Sequence, residues 1–285
     1  MPRSVWVYLL TIVGIAFAAI FVRLAQPAPP AVIGFYRMLF AALAMGGYAL
    51  LTRRRVHWRG RAAAWALASG VSFGLDLAFW HTAILETTVG LATLLVNLTP
   101  VHLGVYAVLV RGERLAPRFV AGAALALFGM VVLLGLPGVG PGGLHGPAFA
   151  IIASLFYALY LLWMSEARRE MDAFSALLLM TSASAVVLGA ASLALGNAFS
   201  GFPPHSWAAM LGCALLTQVG GVLGVVWLLR HLPPTFASVS LLAQPVCAAL
   251  LAWALLGEPI GALQAGGGAL VLAGIGLAAA SRAST

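Results

Sequence analysis

The chain has 285 residues, of which 62% are hydrophobic and only 8% charged, and its formal net charge is +8. A water-soluble domain carries about 25% charged and roughly 45–50% apolar residues, so folding in water is excluded and lipid is the main solvent. All fifteen basic residues are arginine, a usage that fits a high-GC bacterial genome, and their placement along the chain excludes a nucleic-acid groove, as shown below.

The apolar residues come in runs, and most runs reach the roughly 20 residues that carry a helix across about 30 Å of hydrocarbon. Segments of about 10 residues alternating apolar with polar, the mark of a membrane β-barrel, are not found. The first run, "MPRSVWVYLLTIVGIAFAAIFVRLA", has the early Arg of a signal peptide. Its apolar core of roughly 17 to 20 residues exceeds the 7 to 15 of a signal h-region, so it reads as an uncleaved first helix. Charge clusters and Gly/Pro-rich stretches divide the chain into spans at 5–24, 31–51, 62–84, 88–110, 119–136, 147–165, 173–195, 207–229, 235–256 and 261–280. The expected fold is an all-α polytopic membrane protein with ten transmembrane helices. Connections such as "QPAPP" are short, and the ending "SRAST" leaves no segment for a soluble domain. Cys213 and Cys247 both lie inside apolar runs, which suggests neither a disulfide framework nor a metal site.

Arginine placement assigns a sidedness by the positive-inside rule. With the N-terminus inside, alternate loops hold Arg53, Arg54, Arg55, Arg59 and Arg61, then Arg111, Arg114 and Arg118, then Arg168 and Arg169, then Arg230. Arg3 and Arg282 bring the inside total to thirteen of fifteen. The opposite loops, "QPAPP", "LETT", "PGVGPGGLHG", "GNAFSGFPPHS" and "GEPIG", carry no basic residue, and only Arg23 and Arg37 depart from the pattern. Arginines that alternate by loop on one membrane face form no groove for nucleic acid. Fixing topology is a sufficient role for them, and "TRRRVHWRGR" additionally permits contact with anionic lipid headgroups. The expected location is a bacterial inner membrane, with multiple passes and both termini cytoplasmic.

An offset of 145 residues aligns the chain with itself. Ala92 falls on Ala237, Pro100 on Pro245, Val101 on Val246, Ala107 on Ala252, and Gly112-Glu113 on Gly257-Glu258; Gly122/Gly267, Leu125/Leu270 and Gly129/Gly274 continue the register. The Glu and Pro matches carry the weight, because the chain has only five Glu and fifteen Pro. A repeat of five helices is odd, so the second copy starts on the opposite side of the membrane. The expected halves, 1–139 and 140–285, are therefore inverted, which explains why "RGERLAPR" keeps its arginines inside while "LGEPIG" outside has none. Gly is suited to close each preceding helix in a left-handed turn, Glu to sit near the next N-terminus, and Pro117 and Pro259 to occupy a first helical turn.

Ten helices in two inverted halves, with Pro midway along the fourth helix of each and Gly-Glu at its end, resemble the EamA-type exporters of the drug/metabolite transporter superfamily. The resemblance covers essentially the whole chain and is most specific at "LTPVHLGVYAVLVRGERL" and "LAQPVCAALLAWALLGEPI". It departs from the usual pattern at "FAAIFVRLA", where many relatives carry a Trp-centred segment. The resemblance implies export of small metabolites, commonly amino acids, and within the family the chain looks most like the aromatic amino acid exporters.

Pro100 and Pro245 each remove a backbone donor near the middle of a span, leaving the carbonyls of Val96 and Leu241 without their helical partners. Paired interruptions of this kind point to a transporter's midplane site and its hinges, although kinks that only shape packing would look the same in sequence. Polar neighbours gather there: Asn97, Thr99 and His102 in the fourth span, and Ser238, Ser240 and Gln244 in the ninth. The third and eighth spans add Asp76, His81, Gln218 and a glycine face at Gly220 and Gly224, and the sixth adds Tyr157, Tyr160 and Trp163. Each uncharged member also has a plain structural reading as interhelical glue. Asp76 requires a partner at membrane depth. The candidates are Arg37 and His81, the latter about 140° around the same helix; the carboxylate is either a proton-coupling or substrate-amine group, or half of an ion pair with Arg37. Trp80, Tyr106, Tyr157, Tyr160, Trp163 and Trp227 are candidates to stack on an aromatic substrate, with belt or packing roles as the alternative.

The sequence has no P-loop, no metal-ligand spacing and no nucleophile with a base and acid, so it offers no enzyme chemistry and no cofactor. The expected function is secondary transport by alternating access around a central cavity between spans one, three, four, six, eight and nine, with a small-molecule substrate and the lipid bilayer as partners. The alternatives are export of amphiphilic or drug-like cations, and a membrane scaffold or lipid-binding protein.

Overall fold

The computed structural model describes residues 3–87, 89–135, 143–256 and 260–280, and every regular element among them is helical. Ten helical segments are long and apolar enough to cross a membrane, beginning with Trp6–Leu24 and ending with Ala262–Ala280. The protein is thus an all-α, multi-pass membrane protein. Seven spans are single helices: α1 (Arg3–Leu24), α2 (Pro30–Leu51), α3 (Arg61–Glu86), α6 (Pro117–Leu134), α7 (His145–Glu170), α8 (Ala173–Ala194) and α13 (Ala262–Ala280). The other three are composite. The fourth is α4 (Val89–Val96) followed by α5 (Thr99–Leu109), and the ninth is α11 (Pro234–Leu241) followed by α12 (Ala243–Leu256). The eighth runs from α9 (Pro204–Gly212) through a π-helical stretch, Cys213–Val222, into α10 (Leu223–Leu228).

Helix ends follow local chemistry. Proline opens α2, α6, α9 and α11, where a missing N–H costs nothing and the fixed φ suits the first turn. Asp172 caps α8 by accepting hydrogen bonds from the backbone N–H groups of Phe174 and Ser175. Burial alone would raise its carboxyl, but hydrogen bonds from Ser175, His57 and Arg54 outweigh that and bring it down to about 2. After α5, Gly112 takes φ +64° and lets the Glu113 N–H reach back to the Ala107 carbonyl at 2.9 Å, while Glu113 pairs with Arg111 at 3.1 Å. Gly257, Glu258 and Pro259, the matching positions of the second half, lie outside the described residues, as does Arg282.

The chain forms two compact units, each drawing on both sequence halves: Met1–Ala78 with Leu159–His231, and Phe79–Ala158 with Leu232–Thr285. In the first unit α2 packs on α8, and α1 packs on the π stretch. The α1 contact is made backbone to backbone, since a Cβ on Gly14 would lie 2.9 Å from the Gly221 Cα. The glycine face expected at Gly220 and Gly224 is therefore made by Gly221 and Gly224, the latter against Thr11; a Cβ on Gly220 would meet only the Leu215 carbonyl, at 3.6 Å. Ser184 Oγ donates to the Gly70 carbonyl at 2.7 Å and ties α8 to α3. Arg168 is also a correction: it is not an exposed loop arginine but is only 3% exposed, its guanidinium donating to the carbonyls of Val226 and Met171 at the ends of two helices. Satisfied carbonyls at helix C-termini explain how the cation is tolerated there.

The second unit is built on α6 against α13. A Cβ on Gly122 would lie 2.6 Å from the Gly274 carbonyl oxygen, and one on Gly129 would lie 2.9 Å from that of Gly267. Contacts that run 122 with 274 and 129 with 267 make the helices antiparallel. The 145-residue offset carries Gly122 onto Gly267 and Gly129 onto Gly274, so these two contacts exchange with each other, as a two-fold relation between the helices requires. Ala126, Met130, Leu133, Leu242, Val246 and Val271 bury the surrounding core.

Replacing Gly129 or Gly274 by Leu should push α6 and α13 apart and cost about 1–3 kcal/mol or more, whereas Gly276→Ala, on the same helix but with no atom within 4 Å of the added Cβ, should change stability by less than about 0.5 kcal/mol. Thermal unfolding of the detergent-solubilised protein checks this; equal losses at all three positions would contradict the packing.

Candidate functional site

The polar residues singled out in the sequence fall into two clusters, one in each unit. In the first unit, Arg37 projects from the middle of α2 and donates from Nε and Nη2 to Gln218 Oε1, at 3.1 and 2.8 Å. Gln218 is wholly buried in the π stretch, and its amide nitrogen donates to Thr181 Oγ1 of α8 at 3.2 Å. One chain of hydrogen bonds thus crosses α2, the π stretch and α8, and gives a membrane-depth guanidinium a fixed direction.

Asp76 of α3 is 4% exposed, and its Oδ1 has no hydrogen-bond partner among the described residues. Arg37 acts on it through its charge, but among the described residues the two make no ion pair, and the guanidinium donates to Gln218. The direct Arg37–Asp76 pair considered from sequence is therefore not formed. Tyr160, 1% exposed, sets its ring 4.9 Å from Phe73, which stands three residues before Asp76 on the same side of α3. Trp163 lies against Trp65, with ring centroids 6.5 Å apart.

In the second unit the chain breaks at Asn97–Leu98 and again at Leu242, just ahead of Pro100 and Pro245. The Val96 carbonyl is not left free, as the proline alone would leave it: Thr99 Oγ1 donates to it at 3.0 Å. Asn97 Nδ2 likewise donates to the Thr93 carbonyl at 2.7 Å, so both residues serve the broken backbone. His102 Nε2 lies 2.7 Å from Ser154 Oγ of α7. The Ser154 hydroxyl spends its one proton on the Ile151 carbonyl, so it accepts from His102, and the neutral imidazole must carry its hydrogen on Nε2. The Trp80 ring lies tilted against His81, with centroids 5.3 Å apart, and its indole N–H is buried without a hydrogen-bond partner among the described residues. Tyr157, Ser240, Gln244 and Pro245 are half-buried in this unit.

Thr181 and Ser154 hold Gln218 and His102 in place, yet neither stands out in the sequence. A single hydroxyl in an apolar helix gives no sign of which partner it meets. Arg37 was visible as an anomaly, a charge inside a span, but its partner was not.

Ten apolar spans, two of them broken at matched prolines, around buried polar clusters define a membrane transporter of small molecules. The chain matches the EamA-like transporter family over residues 3–135 and 144–280, and it belongs to that family. An uncharacterized transporter of Archaeoglobus fulgidus is 28% identical over 244 residues, covering 85% of this chain and 84% of that protein. A solved crystal structure shares the fold, with a TM-score of 0.82 over 98% of both chains at 19% identity.

In a double-mutant cycle, His102→Phe and Ser154→Ala should couple by about 0.6–1.7 kcal/mol, the range measured for hydrogen bonds between membrane helices. Unfolding of the solubilised variants reads this, and additive effects would mean that the bond contributes nothing.

Proposed function

We propose that the protein is an inner-membrane secondary exporter of small metabolites, most of all aromatic amino acids, and that it works by alternating access. The observation that carries the reading is Asp76: a fully buried carboxyl with one oxygen unpartnered among the described residues, on the helix that also presents Phe73 against Tyr160. A buried acceptor left open in this way costs free energy unless a ligand completes it. The ammonium of an amino acid is such a ligand, and the aromatic surface beside it suits a ring. Arg37, fixed by Gln218 and Thr181, supplies positive charge for the substrate carboxylate, and the two ends of a zwitterion thereby find opposite charges.

The inverted repeat, with its halves at 1–139 and 140–285, supports alternating access, because two copies of one unit read from opposite membrane faces exchange roles between inward-open and outward-open states. Pro100 and Pro245 then serve as the hinges. The arginine distribution supports cytoplasmic termini. A cationic amphiphile without a carboxylate would satisfy Asp76 equally well, and this is the second reading.

The purified protein in liposomes should move radiolabelled Phe, Tyr or Trp, with excess unlabelled amino acid competing. Asp76→Asn should lower uptake by at least tenfold with little change in thermal stability. No transport across a broad amino acid panel would contradict the substrate assignment, and competition by organic cations alone would favour the second reading.

A further inference from the structure

The first unit carries a second feature, separate from the Asp76 cluster and of opposite chemistry. A groove of about 440 Å³ runs between the beginning of α1 and the π stretch with α10, and it closes at one end on the start of α8. Leu10, Leu223 and Trp227 form its apolar walls. Thr11 brings a hydroxyl to the wall, but that hydroxyl donates to the Val7 carbonyl at 2.6 Å and so offers a ligand no donor. Gly220 makes the notch: a Cβ there would meet nothing nearer than the Leu215 carbonyl at 3.6 Å. The rim is lipid-like rather than watery, since Leu10, which lines it, is 69% exposed.

Polarity appears only at the α8 end. Arg54 stacks over the Phe174 ring at 4.5 Å and pairs with Asp172 at 3.2 Å. His57 reaches the other oxygen of Asp172, also at 3.2 Å. The same loop exposes Arg53, Arg55 and Arg59 and carries no acidic residue, so the segment that brings Arg54 to the groove's end is strongly cationic. An arginine has five N–H donors, and Arg54 gives one hydrogen bond to Asp172, so it retains others for a second acceptor.

We propose that this groove holds one acyl chain of an anionic phospholipid, whose headgroup phosphate lies on Arg54 and the neighbouring loop arginines. The slot is too apolar to bind an amino acid, and in a bilayer it opens among lipid chains. At its one polar end Arg54 is paired with Asp172, but the loop that carries Arg54 is net positive, as an anionic headgroup would require. A bare phosphate would gain the arginines but not the walls; a zwitterionic lipid would gain the walls but less from the arginines.

The test uses the full chain reconstituted in phosphatidylcholine bilayers, titrated with phosphatidylglycerol brominated on its acyl chains. The readout is quenching of Trp227, obtained as the difference between the wild-type protein and Trp227→Phe. Saturable quenching is expected, half-complete at lower mole fraction with brominated phosphatidylglycerol than with brominated phosphatidylcholine, and unaffected by inorganic phosphate. Arg54→Gln should raise the half-quenching fraction about fivefold, one arginine's share of anionic-surface attraction. Gly220→Leu fills the notch without touching a charge and should abolish the saturable component, while circular dichroism shows that the helices are intact. Equal quenching by both lipids would overturn the anionic headgroup, and quenching that Gly220→Leu leaves unchanged would overturn the groove itself. None of these outcomes bears on amino acid transport, which is measured separately.

Discussion

The constraint on which the rest of the structure depends is that lipid satisfies no polar atom. Every donor and acceptor at membrane depth must find its partner inside the protein or be left for a ligand. The Arg37–Gln218–Thr181 chain shows the first outcome: a guanidinium in the middle of a span is held by a neutral amide, which is held in turn by a hydroxyl. Among the described residues Arg37 makes no ion pair with Asp76, although its charge acts on it. The Asp76 carboxyl stays buried with Oδ1 unpartnered among the described residues, and under the proposed function a substrate ammonium completes it.

The broken spans obey the same rule. Proline at 100 removes a helical donor, and the hydroxyl of the residue before it replaces that donor at the Val96 carbonyl. Asn97 repeats the device at Thr93. Side chains that resemble a substrate-binding set in sequence are thus partly employed in repairing backbone. Around Pro100 two residues also reach another helix, both at Ser154 of α7: His102 meets its hydroxyl and Thr99 Oγ1 lies 3.3 Å from its carbonyl.

How much of this was legible in the sequence depends on the length scale of each signal. The ten spans follow from composition and run length, and the described helices end within a few residues of the positions that charge and proline suggest. The matched glycines of α6 and α13 were visible as a repeat, and they meet one another in the fold. The π stretch was not legible, since no residue in "CALLTQVGGV" forbids an α-helix, and nothing local told Gly221 from Gly220 as the close-packed residue. Arg168 looked like its neighbour Arg169; only the carbonyls of Val226 and Met171, one of them distant in sequence, draw it inward. Pairings such as Gln218 with Thr181 are set by how helices rotate against each other, and a single sequence does not encode that in any local pattern.

The central claim is that Asp76 is an unfilled acceptor that substrate completes. The most direct measurement is modification of the reconstituted protein with a lipid-soluble carbodiimide, which reacts with a carboxyl at membrane depth, followed by peptide mapping with and without an aromatic amino acid. The account predicts modification of Asp76, loss of the adduct in Asp76→Asn, and protection by substrate at concentrations that saturate transport. Modification of Asp76 that proceeds at the same rate with saturating substrate present would contradict it.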